Sequence, residues 1–245
     1  MFPLMVPNFN IDGESDLVEE LVGYWKLDES SGNAIDSGPN GLDLTDVNTV
    51  TSATGKVGNA RQFTSGSSEY LTRSDEPALR SGNIDFSLCG WSYFDTDAAT
   101  AQVQVARYGG AAREFAVQHR QTAGVDVIRW IIGNSVDGDT SIESAGDLAT
   151  GKWIFWHASH RASDSGLRLY VIEEDESFVS GELITGTAAF DPGSEACDFS
   201  IGALTVPSQY ANGRIDAVGY WHIYHTADQI ERLFNSGAGL EYPFL

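Results

Sequence analysis

Apolar and polar residues alternate in short segments along most of the chain, and this pattern predicts β-strands. The segments are residues 21–27, 55–63, 70–71, 86–91, 103–108, 114–120, 125–133, 151–159, 166–172 and 199–203. Gly, Pro, Asn, Asp and Ser cluster between them as turn signals, and the acidic residues 137–147 are predicted to form a loop. The pattern therefore predicts an all-β sandwich of two antiparallel sheets.

The stretch at residues 213–239 begins with strand alternation and ends with helical spacing. Three apolar residues in its second half fall at positions i, i+3 and i+4. They are Ile230, Leu233 and Phe234. Thr226 is a favourable N-cap residue, Gln229 completes a capping-box pattern, and Gly237 stands where a left-handed C-cap is needed. The stretch therefore predicts a strand followed by one short capped helix.

Several segments, in this order along the chain, carry a resemblance to a known family. They are YWKLDESSG at 24–32, GKVGNARQF at 55–63, FSLCGW at 86–91, WIFWHA at 153–158, LRLYV at 167–171, FSIGA at 199–203, GRID at 213–216 and LFNSG at 233–237. Together they resemble the laminin-G-like, concanavalin A-like domain over residues 21–242. The resemblance implies an all-β, two-sheet antiparallel jelly-roll sandwich with one short C-terminal helix. It gives a jelly-roll domain at residues 21–245, preceded by an N-terminal anchoring arm at residues 1–20.

Charge is the strongest compositional signal. The 245 residues include 35 acidic and 14 basic side chains, for a formal net charge of −21. Such acidity argues against nucleic-acid binding and against anionic membranes, because both carry negative charge. Only three of the basic residues are lysines (Lys26, Lys56 and Lys152). Acid-rich, lysine-poor surfaces resemble those of halophilic proteins, and ordinary solubility is the equally open alternative.

The cysteines and the N-terminus further limit the kinds of protein that the sequence can encode. Cys89 and Cys197 are far apart and form neither a metal motif nor a disulfide framework, so we expect two buried thiols. Residues 1–20 contain two prolines and several apolar residues but no basic region, so we do not expect a signal peptide. We also expect no membrane insertion, because no apolar run approaches the ~20 residues of a spanning helix. The arm is predicted either to dock on a partner or sister subunit or to have no role.

The sequence contains few of the residue patterns that catalysis requires. Glycosidases of this fold place paired carboxylates at alternating strand positions, and the nearest match here is residues 173–177, where Ser177 replaces the second glutamate. No Gly-x-Ser-x-Gly elbow is present, and the histidine pairs 157/160 and 222/225 have poor spacing for metal ligation within a strand. We therefore predict a non-enzymatic protein with no catalytic residues.

Calcium is the metal that the resemblance implies. The loop that begins at Asp137 lacks the EF-hand glycine at its sixth position and glutamate at its twelfth. Jelly rolls of this family often bind a structural Ca²⁺ through the aspartate of the Gly-x-Ile-Asp strand and early backbone carbonyls. The resemblance thus implies Asp216, a carbonyl near Gly58 and Asp28 as an additional ligand. The alternative is that Asp216 caps a turn or pairs with an arginine.

Glycan-binding residues remain unknown from the sequence. Sugars stack on exposed aromatic rings, although most tryptophans at alternating strand positions belong to the core. The candidate aromatics are Tyr108, Trp130, Tyr210 and Trp221.

The C-terminal sequence LFNSGAGLEYP at 233–243 resembles the closing sequences of laminin-G-like virion proteins of tailed phages and related viruses. This implies a virion surface protein (a capsid decoration, turret or fibre module) made in the host cytoplasm. Its arm would bind other virion proteins, its jelly roll would bind host-surface glycans, and repetition on a particle favours a homo-oligomer. The alternatives are a carbohydrate-binding module of a polysaccharide-active system and a glycosidase that uses Glu174 and Glu176.

Overall fold

The computed structural model describes residues 16–245. In chain order its elements are β1 (Leu21–Trp25), β2 (Thr45–Val47), β3 (Thr51–Thr54), β4 (Asn59–Phe63), β5 (Tyr70–Arg73), β6 (Phe86–Phe94), β7 (Gln102–Gly109), β8 (Ala112–Thr122), β9 (Val125–Asn134), β10 (Gly138–Glu143), β11 (Trp153–Arg161), β12 (Gly166–Glu173), β13 (Glu182–Thr187), β14 (Phe199–Ile201), β15 (Gly213–Trp221) and α1 (Ala227–Phe234). Single 3₁₀ turns connect some of them. No helix in this part of the chain is long and apolar enough to cross a membrane.

The strands form two antiparallel sheets, which confirms the predicted jelly-roll sandwich. The back sheet has eight strands in the order β13-β12-β11-β6-β15-β4-β3, with β1 also paired to β15. The front sheet has seven strands in the order β10-β9-β8-β7-β14-β5-β2. Consecutive strands pair in β7 to β10 and in β11 to β13, whereas pairs such as β6 with β15 join distant parts of the sequence.

The core lies between the two sheets, where the inward side chains of both meet. Trp25 of β1 stacks on Phe199 of β14 with ring centroids 4.8 Å apart. Phe86 of β6 meets Trp130 of β9 edge-on at 5.9 Å. These large buried rings span the two sheets and explain why period-two alternation is so clear in the central strands.

A second apolar layer covers the outer face of the back sheet, which we call the covered face. The helix α1 buries its apolar side there, and Phe234 packs on Trp91 and Phe155 at centroid distances of 5.8 and 5.6 Å. Trp221 of β15 belongs to the same layer, and its indole Nε1 donates to the Leu17 carbonyl at 2.7 Å. The covered face therefore holds the helix and both ends of the described chain.

The N-cap of α1 is the one predicted from the sequence, whereas its C-cap is a different residue. The capping box of Thr226 and Gln229 is confirmed, because each side chain bonds to the backbone of the other residue. The prediction that Gly237 is the C-cap is wrong. Asn235 ends α1 with a φ of 50°, since asparagine tolerates the left-handed conformation better than most residues.

Three further predictions from the sequence can be compared with the structure. The prediction of an acidic loop at residues 137–147 is wrong in part, because residues 138–143 form β10 and pair with β9 in a hairpin. The two buried thiols are confirmed, since Cys89 and Cys197 are both free and buried. Residues 1–15 of the predicted arm lie outside the described residues, so the arm and its boundary at residue 20 stay predictions.

Candidate functional site

The outer face of the front sheet over β7, β8, β9 and β10, which we call the open face, carries a depression. Ile131 of β9 lines it, and Ile131 packs in one apolar cluster with the fully buried Ala106 of β7 and Ala116 of β8. These residues lie side by side, because Ala116 pairs with Ala106 on one side and with Ile131 on the other. The apolar surface that this part of the depression offers is therefore Ile131, which packs beside small side chains of the neighbouring strands.

Two loops raise the walls of this depression. Residues 98–101, between β6 and β7, form one wall, and Leu204 and Gln209 of the loop after β14 form another. The result is a pocket of about 390 Å³ that is open to solvent. Its remaining lining comes from the strands. Those residues are Tyr108, Gln118, Arg120, Gln121, Arg129, Ile131 and Asp139.

Polar side chains in the pocket hold one another in place. The Gln118 side-chain amide donates to Oε1 of Gln209 at 2.8 Å and ties β8 to the loop wall. The Tyr108 hydroxyl donates to Oδ2 of Asp139 at 2.6 Å. Burial and this hydrogen bond raise the pKa of Tyr108 to about 12, so the phenol stays protonated near neutral pH. The pocket thus presents amides, a phenol and a carboxylate that are already oriented.

Arginines supply the positive charge of the pocket. The Arg129 guanidinium donates to Ser141 Oγ at 2.8 Å and lies 3.3 Å from Glu143 Oε1. The Arg120 guanidinium lies 3.8 Å from the same oxygen. Both arginines are about one third exposed or less (33% for Arg120 and 26% for Arg129), so they reach solvent from a partly enclosed position.

A third arginine flanks the pocket. The Arg113 guanidinium lies over the Tyr108 ring, 5.7 Å from its centroid, and 3.5 Å from Asp139 Oδ1. A cation on the face of a tyrosine is favourable and restricts the ring. Arg113, Tyr108 and Asp139 therefore form one connected edge of the pocket.

The structure separates the aromatic candidates of the sequence. Tyr108 lines the pocket, whereas Trp130 and Trp221 are fully buried. Tyr210 is half-buried beside Tyr70, with ring centroids 6.2 Å apart. Sequence reasoning missed the polar residues of the pocket. The alternation that sets Gln118 and Arg129 beside the core residues Val117 and Trp130 is the signal that could have placed them on an outer face.

Asp216 lies on β15 at the edge of the covered face and is fully buried. Its Oδ2 accepts from the backbone N–H groups of Lys56 and Val57 at 2.7 and 3.0 Å, so it does cap a turn. Its Oδ1 has no hydrogen-bond partner among residues 16–245. Burial raises the pKa of Asp216 to about 8, and the charges of Glu241 and Asp28 add to the shift.

The two other residues implied for a metal lie close by. Asp28 Oδ1 accepts from the Asn59 backbone N–H at 2.6 Å. Gly58 has a φ of +64°, and a Cβ there would come within 2.4 Å of that same Asp28 oxygen, so the turn requires glycine. Glu241 adds a carboxylate whose buried Oε1 also lacks a partner within the described chain.

The oxygen atoms of these residues are the ligand type that Ca²⁺ prefers, and Oδ1 of Asp216 is a buried acceptor without a donor among the described residues. The acidic side chains do not form a complete ligand set by themselves. Within residues 16–245 no group of three or more His, Cys, Asp or Glu side chains is arranged to hold a metal. Backbone carbonyls and water would have to complete the coordination.

The acidic run at residues 173–177 forms the end of β12 and the turn that follows. Glu173 and Asp175 both pair with Lys152 Nζ, at 2.9 and 3.0 Å, and Glu174 pairs with Lys56 Nζ at 2.7 Å. Their carboxylates are therefore engaged in ion pairs around a turn. This arrangement does not resemble two carboxylates flanking a scissile bond.

The histidines do pair, but across elements. His157 of β11 and His225 before α1 are fully buried on the covered face, with Nε2 and Nδ1 3.1 Å apart. Burial lowers the pKa of both, that of His225 to about 3, so both are neutral near pH 7. They belong to the packing below the helix.

Comparison with known proteins identifies a family. Residues 65–231 match the Laminin_G_3 family model, which is described as the concanavalin A-like lectin/glucanases superfamily. No curated protein sequence matches the chain.

Several solved structures share the fold at low sequence identity. The binding domain of Paraclostridial Mosquitocidal Protein 1 has a TM-score of 0.71 at 11% identity and matches 90% of this chain and 53% of its own. Domain 4 of AbnA, a GH43 extracellular arabinanase from Geobacillus stearothermophilus in complex with arabinotriose, has a TM-score of 0.61 at 17% identity, with 86% and 97% covered. The binding domain of botulinum neurotoxin DC in complex with SialylT has a TM-score of 0.65 at 11% identity, with 91% and 52% covered. The chain thus spans about half the length of the toxin binding-domain chains it matches.

Proposed function

The chain belongs to the concanavalin A-like lectin/glucanases superfamily, and from this premise we propose that it is a non-catalytic carbohydrate-binding protein. The ligand occupies the pocket on the open face. The observation that carries the proposal is the composition of that pocket, in which a small apolar surface meets fixed amide, phenol, carboxylate and guanidinium groups.

The pocket matches what a saccharide requires. A sugar ring has apolar faces and a rim of hydroxyls that both donate and accept hydrogen bonds. Ile131 and Leu204 supply the apolar surface. Gln118 and Asp139 offer donors and acceptors at its edge. Such a few polar groups around an apolar concavity are the usual form of a small-ligand site.

The comparisons support this proposal through the fold. Two of the similar structures are described in complex with arabinotriose or with SialylT, and each description applies to that protein. This chain shares their jelly-roll architecture over 86% and 91% of its length. The residues that would contact a ligand here are its own, because the sequence identities are only 17% and 11%.

A glycan array probed with the full chain and with Tyr108→Ala tests the proposal. Tyr224→Ala is the matched control, because Tyr224 also packs against arginines but outside the pocket. We expect selective glycan binding that Tyr108→Ala abolishes and Tyr224→Ala retains. Absence of binding to every printed glycan, or full binding by Tyr108→Ala, would overturn it.

The absence of catalysis is part of the same proposal and has its own assay. Any saccharide that the array identifies should be recovered intact after incubation with the chain, as followed by mass spectrometry of the reducing ends. Cleavage that survives Glu174→Ala and Glu176→Ala would contradict both the non-catalytic proposal and the glycosidase site named from the sequence.

We further propose that the protein is displayed on a virion surface as a homo-oligomer, with residues 1–20 binding other virion proteins. The position of the described N-terminus supports this, because Leu17 lies on the covered face and the pocket opens on the opposite side of the sandwich. Particles assembled with protein lacking residues 1–15 test it. Loss from the particle with retained glycan binding is expected, whereas normal incorporation would refute the arm's role.

We also propose that a structural Ca²⁺ is held by Asp216 with Asp28, a carbonyl near Gly58 and Glu241. Support comes from the unpartnered buried oxygens of Asp216 and Glu241. When bound, the ion would neutralise their charge and fix the residues 55–58 turn to β15 and to the C-terminal segment. The chain's own residues then only position oxygens, and no reaction passes through the ion.

A further inference from the structure

The open face is positively charged within a strongly acidic protein. Three arginines (Arg113, Arg120 and Arg129) border or line the pocket against two carboxylates (Asp139 and Glu143). The whole chain carries 35 acidic and 14 basic residues. The local excess of guanidinium groups is therefore opposite to the charge of the rest of the molecule.

Screening decides which charges a ligand in the pocket feels. At about 0.15 M ionic strength the Debye length is about 8 Å, so exposed charges farther away are largely screened. Partly buried charges nearby are screened less. A ligand in the pocket therefore interacts mainly with the arginines beside it, even though the protein has a net charge of −21.

The arginines keep hydrogen-bonding capacity for a ligand. Glu143 cannot satisfy both of them, because its Oε1 faces the two guanidiniums while its Oε2 accepts from Thr122 Oγ1 at 2.8 Å. The Arg120 guanidinium makes no hydrogen bond to any described residue, and its nearest ionic contact is 3.8 Å long. Each guanidinium has five N–H donors, so most of those on Arg120 are available.

Their placement favours an anion of two or three oxygens. Arg120 and Arg129 both contact one oxygen of Glu143, so the two guanidiniums lie side by side. A planar guanidinium fork binds a carboxylate or sulfate through parallel hydrogen bonds, which lysine cannot do. Arg120 has 33% and Arg129 26% of the side chain exposed, so a ligand can reach both.

Resting on the proposed glycan binding, we propose that the pocket selects anionic saccharides, whose carboxylate or sulfate is held by Arg120 and Arg129. The neutral part of the sugar then lies over Ile131 and Leu204, within reach of Gln118. Arg113 acts as a positioning residue, because it packs on Tyr108 and pairs with Asp139.

The test uses matched pairs of saccharides with the full chain. Trigalacturonate is compared with its methyl ester, and sulfated N-acetyllactosamine with the unsulfated form, by titration calorimetry at about 0.15 M ionic strength. Each pair differs in one kind of anionic group, so the two pairs distinguish carboxylate from sulfate. We expect an acidic member to bind at least about tenfold more tightly than its neutral partner.

Two variants assign the effect to the arginines. Arg120→Gln and Arg129→Gln each remove one guanidinium while keeping length and polarity, and each should reduce the preference for the acidic member by about tenfold. Arg161→Gln is the matched control, because it removes the same charge from an exposed position on the back sheet. Its affinities should equal those of the unchanged protein.

The outcomes separate this inference from the function on which it rests. Equal binding of acidic and neutral members, or a preference that survives both arginine variants, would overturn the inference and leave glycan binding standing. A preference reduced equally by Arg161→Gln would also overturn it, because the effect would then be general charge. Failure of all four saccharides and of every glycan on the array would overturn the proposed function itself.

Discussion

The outer face of the back sheet is built from tryptophan, phenylalanine and leucine, whereas the outer face of the front sheet over β7 to β10 is built from alanine, glutamine and arginine. On the covered face, α1 and the C-terminal segment bury rings such as Phe234 and Trp91. On the open face, the buried apolar cluster is small, and a pocket lined by Gln118, Arg129 and Ile131 is open to solvent. The two faces belong to different sheets of the same sandwich and differ in side-chain volume.

This difference separates stability from binding within one sandwich. Burial of each large apolar side chain on the covered face contributes about 1.5–3 kcal/mol, so that face adds a second core. The open face leaves arginines and amides exposed to a ligand, where a change of charge matters more than a change of packing.

The largest effect is expected from Phe234→Ala on the covered face. It should lower the free energy of unfolding by about 3–5 kcal/mol, because it empties a site fully enclosed by Trp91 and Phe155. Tyr108→Ala on the open face should cost about 1 kcal/mol or less. Urea unfolding measures both, and equal losses would contradict the division between the faces.

The second largest effect on stability is expected from calcium, which should stabilise the covered face. At a concentration a hundred times its dissociation constant it would add about 2.7 kcal/mol, or roughly 5–10 °C in the midpoint of thermal unfolding. Because the pKa of Asp216 is about 8 in the folded chain and about 3.9 when unfolded, stability without the ion falls as pH rises between those values. The ion competes with that proton, so its effect should grow over the same range.

Asp216→Asn should remove the calcium effect and its pH dependence together. Asp97→Asn, an exposed aspartate away from β15, is the control and should leave both unchanged. A calcium-induced shift of the melting midpoint that persists in Asp216→Asn would show that the ion binds elsewhere.

Acid should weaken the covered face through its buried histidines. The unfolded chain protonates His157 and His225 near pH 6.5, whereas burial keeps both neutral in the folded chain, so stability falls as pH drops below about 6.5. Each histidine would cost about 2 kcal/mol at about pH 5. Burial lowers the pKa of all five histidines, so His225→Phe should remove only its own share, about 2 kcal/mol, of the difference in unfolding free energy between about pH 7 and pH 5. An unchanged difference would refute this source.

The smallest effect on stability is expected from Arg129→Gln on the open face. It removes one hydrogen bond to Ser141 and a partly exposed ion pair, so the free energy of unfolding should change by about 0.5 kcal/mol or less. The same substitution should reduce binding of an acidic saccharide strongly. A large loss of stability in urea would place Arg129 in the structural framework instead.

The fold could be predicted because its signals are local. The capping box of Thr226 and Gln229 involves residues three apart, and the strand pattern of LRLYV repeats every two residues. Asn235 replaced Gly237 as the C-cap because both residue types tolerate positive φ, and sequence alone does not decide between neighbours.

The pocket could not be predicted because its residues meet only through sheet register. Tyr108, Gln118, Arg129, Asp139 and Gln209 come from four strands and a loop, and each sits in a segment that reads as an ordinary strand or turn. Whether a β7 residue such as Tyr108 faces the core or the solvent depends on bulges in that strand, which shift the pairing by one residue.

Leu17 and the pocket lie on opposite outer faces of the sandwich, which matters when several copies of the chain are held on one support. Chains tethered by their N-termini would turn their pockets the same way, away from the support, because Leu17 lies on the covered face. Once one pocket engages a surface rich in saccharides, its neighbours meet further ligands at high effective concentration, and overall avidity can exceed single-site affinity by about 10²–10⁴. An individually weak site would then be enough for firm attachment.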